Sequence, residues 1–289
     1  MRASPDITAA TRRRAGPLAR ALGGALGLVL PAACLGCGAR LPEGLGDGPP
    51  PLGLCLACRG RLARPAPGCA VCGEPIPAAV LAAKEAVGGP GAETMVCGGC
   101  RRRPPPFAAL RAAWSYQGPL AAVVRGLKFR RLEYLGAHLA RELAELVGGA
   151  GGPAAGWDLV VPVPLHWRRR WLRGYNQAER IARPLARLLG APCAELLRRR
   201  RATRPQTGLA RAARLSNPQG AFVLRRGRWP LGAARAADRV WGRLAEGRVL
   251  LVDDVVTTGA TLRAAAEVLR RSGAREVVAV AAARTPEPG

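Results

Sequence analysis

The sequence predicts a two-part α/β protein, in which a small cysteine-rich segment precedes an open parallel sheet flanked by helices. Two observations support this. Four Cys-x-x-Cys pairs fall within residues 34–100, and an apolar run at 249–252 leads into two carboxylates and a hydroxyl-rich turn. A chain of 289 residues is also longer than one domain of ordinary size. We therefore expect a tail with a short amphipathic helix at 1–30, a double metal-binding ribbon at 31–106 and the α/β domain at 107–289.

The chain is strongly basic, with a formal net charge of +26. Only two of its 45 basic residues are lysines, Lys84 and Lys128, so arginine supplies nearly all of the positive charge. Such a balance favours polyanionic partners. A genome rich in G and C would also raise the arginine content without selection for binding, so the places where arginines cluster are more informative than their total.

The N-terminal region has a basic stretch followed by an apolar run, a pattern also found in signal peptides and lipoprotein leaders. Against export, Arg20 and three glycines interrupt the run, and Cys34 already belongs to a Cys-x-x-Cys pair. No run reaches about 18 uninterrupted apolar residues, so we predict no membrane span and a cytoplasmic location. The apolar residues that predict the amphipathic helix by their spacing are Leu18, Leu22, Leu26 and Val29.

Eight of the nine cysteines form the four pairs. Two residues between thiolates allow both sulfurs of one tight turn to reach a single ion, and two such turns complete the tetrahedral shell of a structural Zn²⁺. A closed shell of four thiolates leaves no open position, so we predict two structural zinc sites and no catalytic one. Sequential pairing gives sites at 34–58 and 69–100, although the spacing also allows crossed pairing. The predicted ligands are Cys34, Cys37, Cys55, Cys58, Cys69, Cys72, Cys97 and Cys100.

The alternative for these cysteines is redox chemistry, since an isolated Cys-x-x-Cys pair suits a reactive dithiol. Four consecutive pairs without a βαβ context favour metal binding. In three of the pairs a glycine directly follows a cysteine, at Gly38, Gly73 and Gly98, and supplies the backbone freedom that such turns need. Cys193 stands alone beside apolar residues, and we expect it to be a buried apolar side chain.

The most informative segment covers residues 248–261. Its run at 249–252 is typical of a strand buried on both faces of a parallel sheet, and Asp253 and Asp254 follow where that strand is expected to end. A hydroxyl-rich turn then opens a helix that stops at Gly273. Ligands of open α/β sheets bind at the carboxyl ends of strands, and helix N-termini attract phosphate. We therefore expect the turn to hold a phosphate, and the acidic pair to accept hydrogen bonds from a vicinal diol.

The alternative for this segment is a structural strand, turn and helix with an incidental acidic pair. Two adjacent carboxylates at a buried strand end repel each other unless hydroxyls, a metal or cations compensate, so a binding site is favoured. The segment is not a Walker loop, since no Gly-Lys-Ser/Thr follows, and it is not a dinucleotide fingerprint, since the glycine triplet is missing.

The same segment closely resembles the phosphoribosyl pyrophosphate (PRPP) signature of type I phosphoribosyltransferases. Three further motifs resemble those of the ComF-type competence family: Val-Pro-Val-Pro-Leu-His at 161–166, Arg-Gly-Tyr-Asn-Gln at 173–177, and the stretch at 206–217 that leads into Gly-Ala-Phe at 220–222. The order of four cysteine pairs followed by these motifs also resembles that family, over nearly all of residues 31–285. The resemblance implies a type I phosphoribosyltransferase fold behind a double zinc ribbon.

The resemblance also implies roles for individual residues. The loop after the strand at 158–161 would hold pyrophosphate, and the segment at 198–217 would form a flexible hood over it. Asp253 and Asp254 would be the catalytic carboxylates that orient the ribose. Mg²⁺ would bind together with PRPP and bridge ribose hydroxyls and pyrophosphate. The implied PRPP-binding residues are Pro162, Val163, Pro164, Arg173, Asn176, Gln177, Arg211, Arg214, Val255, Thr257, Thr258, Gly259, Ala260 and Thr261.

Some of these residues have an alternative role. Asn176 and Gln177 begin a predicted helix that ends near Gly190, so they could cap that helix instead of contacting a ligand. The hood arginines could belong to a solvated basic loop. The two histidines, His138 and His166, have no metal-like neighbours in the sequence, and we expect ordinary hydrogen-bonding roles for them.

The chain departs from the family pattern in two places. Trp167 stands where a proline is expected, and with Trp171 it could form a platform for stacking bases beside the arginines at 168–170. Tryptophans four residues apart in a helix are more typical of a core, so core packing is favoured. The arginine-rich segment at 224–248 looks long, and it is predicted to be a solvent-exposed or disordered insertion.

These observations predict two alternative functions. In the first, the protein is a phosphoribosyltransferase that acts on an unidentified nitrogen nucleophile. In the second, it is an accessory protein of DNA uptake that binds single-stranded DNA beside a helicase-like competence partner and keeps the PRPP site as a ligand sensor. The family resemblance favours a link to competence. Nothing in the sequence marks a base-selective pocket, so it predicts no particular acceptor.

Overall fold

The computed structural model describes residues 33–41, 51–86, 94–148, 156–200, 220–225 and 234–286. The predicted N-terminal helix lies outside the described residues. Most of the hood segment also lies outside them, together with two of the predicted PRPP ligands, Arg211 and Arg214. In the part of the chain that is described, no helix combines the length and the apolar character needed to cross a membrane.

Four parallel strands form the central sheet, and two short antiparallel strands form a separate pair. The strands are β1 (Ala109–Ser115), β2 (Leu159–Pro162), β3 (Leu197–Arg199), β4 (Phe222–Leu224), β5 (Arg248–Val256) and β6 (Glu276–Arg284). The order in the central sheet is β1-β6-β5-β2, and β3 pairs with β4. The carboxyl ends of all four parallel strands therefore meet at one edge, where ligands of such sheets bind.

Helices cover both faces of this sheet. They are α1 (Leu56–Gly60), α2 (Ala78–Ala86), α3 (Gly98–Arg102), α4 (Gly118–Phe129), α5 (Leu135–Gly148), α6 (Trp167–Arg173), α7 (Gln177–Leu188), α8 (Ala234–Leu244) and α9 (Ala260–Arg271). The predicted helix from Gln177 to near Gly190 corresponds to α7, and the predicted helix before Gly273 corresponds to α9.

Strand β5 lies inside the sheet and is buried on both faces, as its sequence predicts. Leu250 and Val252 pack in the apolar cluster of α4, α5 and α7, whereas Val249 and Leu251 pack in the cluster of α9. All four side chains are 0% exposed. Because consecutive side chains of a strand point to opposite faces, only a strand covered on both sides can use a continuous apolar run.

The cysteine-rich segment packs against both faces of the sheet. Cys34 and Cys58 belong to the apolar cluster of α4 and α5. Cys69, Cys72 and Cys100 belong to the cluster on the opposite face, together with the buried side of α9. The two halves of the segment therefore contact different surfaces of the α/β part.

Two predicted features of the fold are corrected. Strand β5 does not end at the acidic pair, because its backbone continues to pair with β6 as far as Val256. The segment at 224–248 is not simply an exposed insertion, since it contains helix α8. Val240, Trp241 and Leu244 pack that helix on the core, and their helical spacing is the sequence signal that the insertion hypothesis overlooked.

Candidate functional site

The acidic pair lies near the carboxyl end of β5. The backbone N–H of Asp254 donates a hydrogen bond to Oδ1 of Asp253 at 2.8 Å. Burial, and then the neighbouring charge of Asp254, raise the pKa of Asp253 to about 7. A carboxyl group with such a pKa can change its protonation state near neutral pH, when a ligand or a cation approaches it.

A lysine that the sequence analysis missed compensates the pair. Nζ of Lys128, in the last turn of α4, lies 3.2 Å from Oδ2 of Asp254, and the two side chains are only 18% and 13% exposed. Arg199 of β3 is a second nearby cation. Burial lowers its pKa, while the charge of Asp253 acts in the opposite direction. The sequence signal for Lys128 was its residue type, because only two of the 45 basic residues in this chain are lysines.

The turn after β5 forms the floor of a small pocket. Gly259 adopts a left-handed backbone (φ 73°) and precedes the first residue of α9, and as a glycine it supplies no side-chain cap to that helix. The residues that line the pocket are Asp253, Val255, Val256, Thr257, Gly259, Ala260, Thr261 and Leu262. A helix N-terminus with uncapped N–H groups and hydroxyl side chains suits a phosphate. Of the predicted turn residues, Thr258 does not line the pocket but accepts the N–H of Ala260 at 3.4 Å.

The predicted pyrophosphate loop lies beside this pocket, because β2 neighbours β5. Pro162 is the last residue of β2 and pairs with Val252, while the N–H of Val163 donates to the carbonyl of Val252 at 2.8 Å. Nδ2 of Asn176 donates to the carbonyl of Val163 at 3.0 Å. Asn176 therefore holds this loop from the start of α7. Pro164, by contrast, lines a separate cleft.

Arg173 and Gln177 continue the polar surface. Nη1 of Arg173 donates to Oε1 of Gln177 at 3.1 Å, and its guanidinium lies 4.9 Å from the ring centroid of Phe129. Burial lowers the pKa of Arg173, and the charge of Asp254 opposes that effect, so the two groups are close. Asn176 forms no side-chain cap of α7. Among the described residues, its Oδ1 and Nε2 of Gln177 are buried without a hydrogen-bond partner.

Helix α6 is exposed along its length, which corrects the core-packing interpretation of its tryptophans. Trp167 and Trp171 are 65% and 82% exposed, and no residue of the helix is buried. Four of its seven residues are arginines, so burial of the helix would also remove charges from water. His166 precedes the helix and its Nδ1 accepts the N–H of Arg168 at 3.4 Å, an ordinary hydrogen-bonding role.

An arginine-rich cleft of about 640 Å³ lies between α6 and the β3–β4 pair. Glu195 stands in its wall and contacts Arg170 at 3.0 Å and Arg225 at 3.4 Å. The arginines that line the cleft are Arg170, Arg198, Arg199, Arg200 and Arg225, beside Trp167. Residues 198–200, the first residues of the predicted hood segment, therefore line this cleft.

The paired cysteines form two clusters, and both follow the sequential pairing. In each cluster the four Sγ atoms lie within 4.8 Å of one another; Cys37 and Cys55 are 3.8 Å apart in the first cluster, and Cys72 and Cys97 are 3.7 Å apart in the second. Four sulfurs at 2.3 Å from a tetrahedral zinc ion are about 3.8 Å apart, so both clusters fit zinc. The first cluster is Cys34, Cys37, Cys55 and Cys58, and the second cluster is Cys69, Cys72, Cys97 and Cys100.

The backbone supports both clusters in the same way. The N–H of Cys55 donates to Sγ of Cys34 at 3.3 Å, and the N–H of Cys97 donates to Sγ of Cys69 at 3.2 Å. Such bonds stabilise thiolates, the form that binds a metal. Cys193 lies outside both clusters and is partly buried, and burial raises the pKa of its thiol to about 11.

Comparison with known proteins agrees with this architecture. The phosphoribosyl transferase domain family matches residues 176–288. The chain is 35% identical over 233 residues to the DNA utilization protein YhgH of Salmonella typhi, which covers 78% of this chain and 94% of that protein. It is 32% identical over 257 residues to the DNA utilization protein YhgH of Escherichia coli K12, with coverage of 86% and 96%.

A third relative is the competence protein F of Haemophilus influenzae, which is 32% identical over 188 residues, or 63% of this chain and 75% of that protein. These matches and the parallel sheet behind two four-cysteine clusters lead to one conclusion. The chain belongs to the ComF-type family of phosphoribosyltransferase-fold proteins, which includes the DNA utilization protein YhgH and competence protein F.

Proposed function

We propose that this protein binds PRPP with Mg²⁺ in the cytoplasm and transfers its phosphoribosyl group to a nitrogen nucleophile. The observation that carries the proposal is the position of Asp253 and Asp254, two residues before the turn that opens α9 at the carboxyl edge of the sheet. The carboxylates are placed to accept hydrogen bonds from the ribose hydroxyls, while the N–H groups and hydroxyls of the turn bind the 5′-phosphate.

The pyrophosphate would lie on the neighbouring side of the site. The loop after β2 is next to the acidic pair through the β2–β5 pairing, and the charge of Asp254 acts on the guanidinium of Arg173. Nε2 of Gln177, a buried donor without a partner, is suited to the same ligand, whereas Oδ1 of Asn176 can only accept and would suit a hydroxyl or a cation. When bound, Mg²⁺ would neutralise charge on the pyrophosphate.

In the proposed reaction, the bond between ribose C1 and the pyrophosphate oxygen breaks, and the pyrophosphate leaves with the electron pair. The lone pair of the acceptor nitrogen forms the new bond to C1, and that nitrogen loses one proton. Positive charge develops on the ribose as the leaving group departs. The carboxylates of Asp253 and Asp254 stabilise that charge and hold the sugar in position, so the protein contributes orientation and electrostatics.

Pyrophosphate release is the direct test of this function. The full-length protein is incubated with PRPP, Mg²⁺ and, one at a time, a panel of nucleobases and single-stranded DNA. We expect release that depends on one acceptor, because transfer requires a nucleophile at C1. PRPP binding without acceptor-dependent release in the whole panel would contradict transfer and support a ligand sensor.

The arginine-rich cleft supports a second candidate function, which is binding of single-stranded nucleic acid beside a helicase-like partner of DNA uptake. Exposed tryptophans next to arginines are the combination that binds single strands, since rings stack on bases and guanidinium groups contact phosphates. Trp167 and Trp171 are exposed on α6, and Arg198 and Arg200 are exposed at the cleft.

Replacement of these side chains tests the cleft. We expect Trp167→Ala/Trp171→Ala to weaken single-stranded DNA binding about tenfold or more, at ~1–3 kcal/mol per stacked base. We expect Arg198→Gln/Arg200→Gln to reduce the slope of log K against log salt by about 1.4, at ~0.7 per lost phosphate contact. Leu56→Ala is the control, because Leu56 is 78% exposed but lies in the cysteine-rich segment. Equal DNA affinity in all variants would exclude the cleft as the binding site for single-stranded DNA.

A further inference from the structure

The second cluster lies against the turn that leads into α9 and includes its first two residues, here called the phosphate turn (residues 257–261). Three contacts connect them, each through a different element of the α/β part. They involve Arg284 at the end of β6, Leu110 in β1, and Arg263 in the first turn of α9. The first cluster packs instead with α4 and α5 on the opposite face.

Arg284 is the most direct connection. Its side chain is buried, with only 4% of the residue exposed. Nη2 donates to the backbone carbonyl of Cys72 at 2.6 Å, and Nη1 lies 3.5 Å from the carbonyl of Thr257. Nη1 also lies 3.7 Å from the carboxylate of Glu74. One planar guanidinium therefore joins the backbone of a metal-binding turn to the first residue of the phosphate turn.

Leu110 forms the second connection. Its N–H donates to the carbonyl of Val71 at 2.7 Å, between two ligands of the second cluster. A Cβ atom on Gly73 would lie 2.9 Å from the carbonyl of Leu110 and 3.0 Å from Nη2 of Arg284. On the other side, a Cβ atom on Gly259 would lie 3.3 Å from the Leu110 side chain. Leu110 thus lies between the cysteine turn and the phosphate turn, and both turns use glycine (φ +64° and +73°) to approach it.

Arg263 forms the third connection. Its Nη2 lies 3.7 Å from Sγ of Cys100, while its backbone N–H donates to the carbonyl of Gly259 at 2.8 Å. An arginine beside a metal-bound thiolate offsets part of the charge of a four-thiolate site. The second cluster therefore also restrains the first turn of the helix whose N-terminus would bind phosphate.

We propose that the metal-bound second cluster fixes the shape of the phosphate turn, with Arg284 as the positioning residue between them, so that loss of that metal weakens phosphoribosyl binding. The effect on ligand affinity rests on the proposed PRPP site. The contacts that join the second cluster to the phosphate turn do not depend on that proposal. The first cluster has no such role.

The test compares matched variants of the full-length protein. Arg284→Lys keeps the buried positive charge but lacks the planar fork, so it does not reproduce the separate contacts of Nη1 and Nη2 with the two carbonyls. Its control is Arg111→Gln, because Nη1 of Arg111 also holds the second cysteine segment, through the carbonyl of Ala70 at 2.6 Å, without reaching the phosphate turn. Cys97→Ser removes a ligand of the second cluster, and its control, Cys37→Ser, removes one of the first.

Three quantities are measured for each variant: zinc content, the Kd of PRPP with Mg²⁺ by calorimetry, and hydrogen exchange of the amides at 257–261. We expect Arg284→Lys and Cys97→Ser each to weaken PRPP about tenfold or more and to accelerate exchange in the turn. The double variant Arg284→Lys/Cys97→Ser should bind PRPP only slightly more weakly than the weaker-binding of the two single variants, because both changes break the same connection. Arg111→Gln should leave Kd and exchange unchanged, and Cys37→Ser should change both much less than Cys97→Ser does.

Wild-type Kd and exchange rates in a folded Arg284→Lys variant would overturn the proposal, as would an equal effect of Cys37→Ser and Cys97→Ser. If Arg284→Lys does not fold, Glu74→Gln breaks the ion pair at 3.7 Å and should produce a smaller change of the same kind. A wild-type protein that does not bind PRPP would contradict the proposed function, and hydrogen exchange would still decide whether the second cluster holds the turn.

Discussion

Asp253→Asn/Asp254→Asn is expected to abolish the Mg²⁺-dependent protection that PRPP gives against heat unfolding. Asparagine keeps the shape of each side chain but removes the charge that attracts the ribose hydroxyls and cations. At a ligand concentration of 100 times Kd, the wild-type protein should gain about 2.7 kcal/mol, or roughly 5–10 °C in Tm. We expect no shift in the variant, and a fall of at least about 100-fold in any pyrophosphate release.

The pKa of Asp253 makes the single variant Asp253→Asn the cleaner test, because Asp254→Asn also removes the ion pair with Lys128. Because the folded state raises that pKa to about 7, well above the unfolded value, the folded protein binds more protons, and ionisation costs stability as the pH rises from about 4 to 7. Asparagine resembles the protonated form, so the single variant Asp253→Asn should be at least as stable as the wild type at pH 8. Loss of protection would then reflect lost binding, not unfolding.

Two controls accompany the acidic variant. Zinc content should be unchanged, because neither carboxylate belongs to a cysteine cluster. Asp238→Asn should keep the full protection, because Asp238 is an exposed carboxylate on α8. Undiminished protection in the double variant would show that PRPP binds elsewhere and that the site is assigned incorrectly.

Removal of zinc is expected to unfold the cysteine-rich segment, which is the second large effect. Elemental analysis should find two zinc ions per chain, one in each cluster. Zinc binding of this kind contributes roughly 10–16 kcal/mol per site, as much as the whole stability of an ordinary domain. Cys34 and Cys58 pack with the apolar core of α4 and α5, so chelation should also lower the Tm of the α/β part.

Single substitutions separate the two sites from other cysteine chemistry. Cys55→Ser should lower the zinc content from two ions to one, whereas Cys193→Ser should leave it unchanged, because Cys193 belongs to neither cluster. A folded wild-type protein without metal, with its paired thiols oxidised to disulfides, would contradict the zinc ribbon and favour the redox alternative.

Local chemistry made much of the site predictable. The run at 249–252 with its two aspartates needs only neighbours in sequence to indicate a buried strand and a ligand at its carboxyl end. The same holds for each Cys-x-x-Cys turn, since two residues of spacing place both sulfurs on one side of the backbone. The helical tryptophans failed as a signal of core packing, because three arginines stand between them and their removal from water costs more than the rings gain.

Contacts between distant segments could not be predicted in this way. Lys128 meets Asp254, and Arg284 meets Cys72, only because α4 and β6 end at the same edge of the sheet. The spacing also allowed each cysteine pair to combine with any of the other three pairs. Neighbouring pairs combine because the first two pack on one face of the sheet and the last two on the other.

The sequence by itself determined the parts: four Cys-x-x-Cys turns, a two-sided buried strand, an acidic pair and a hydroxyl-rich turn that opens a helix. Each depends on residues close together along the chain, where backbone geometry leaves few choices. The tertiary structure decided which cysteines cluster together, which lysine compensates the acidic pair, and that the second cluster contacts the phosphate turn through Arg284. These depend on how the strands are ordered and which faces are covered, and that arrangement is set by the packing of the whole core.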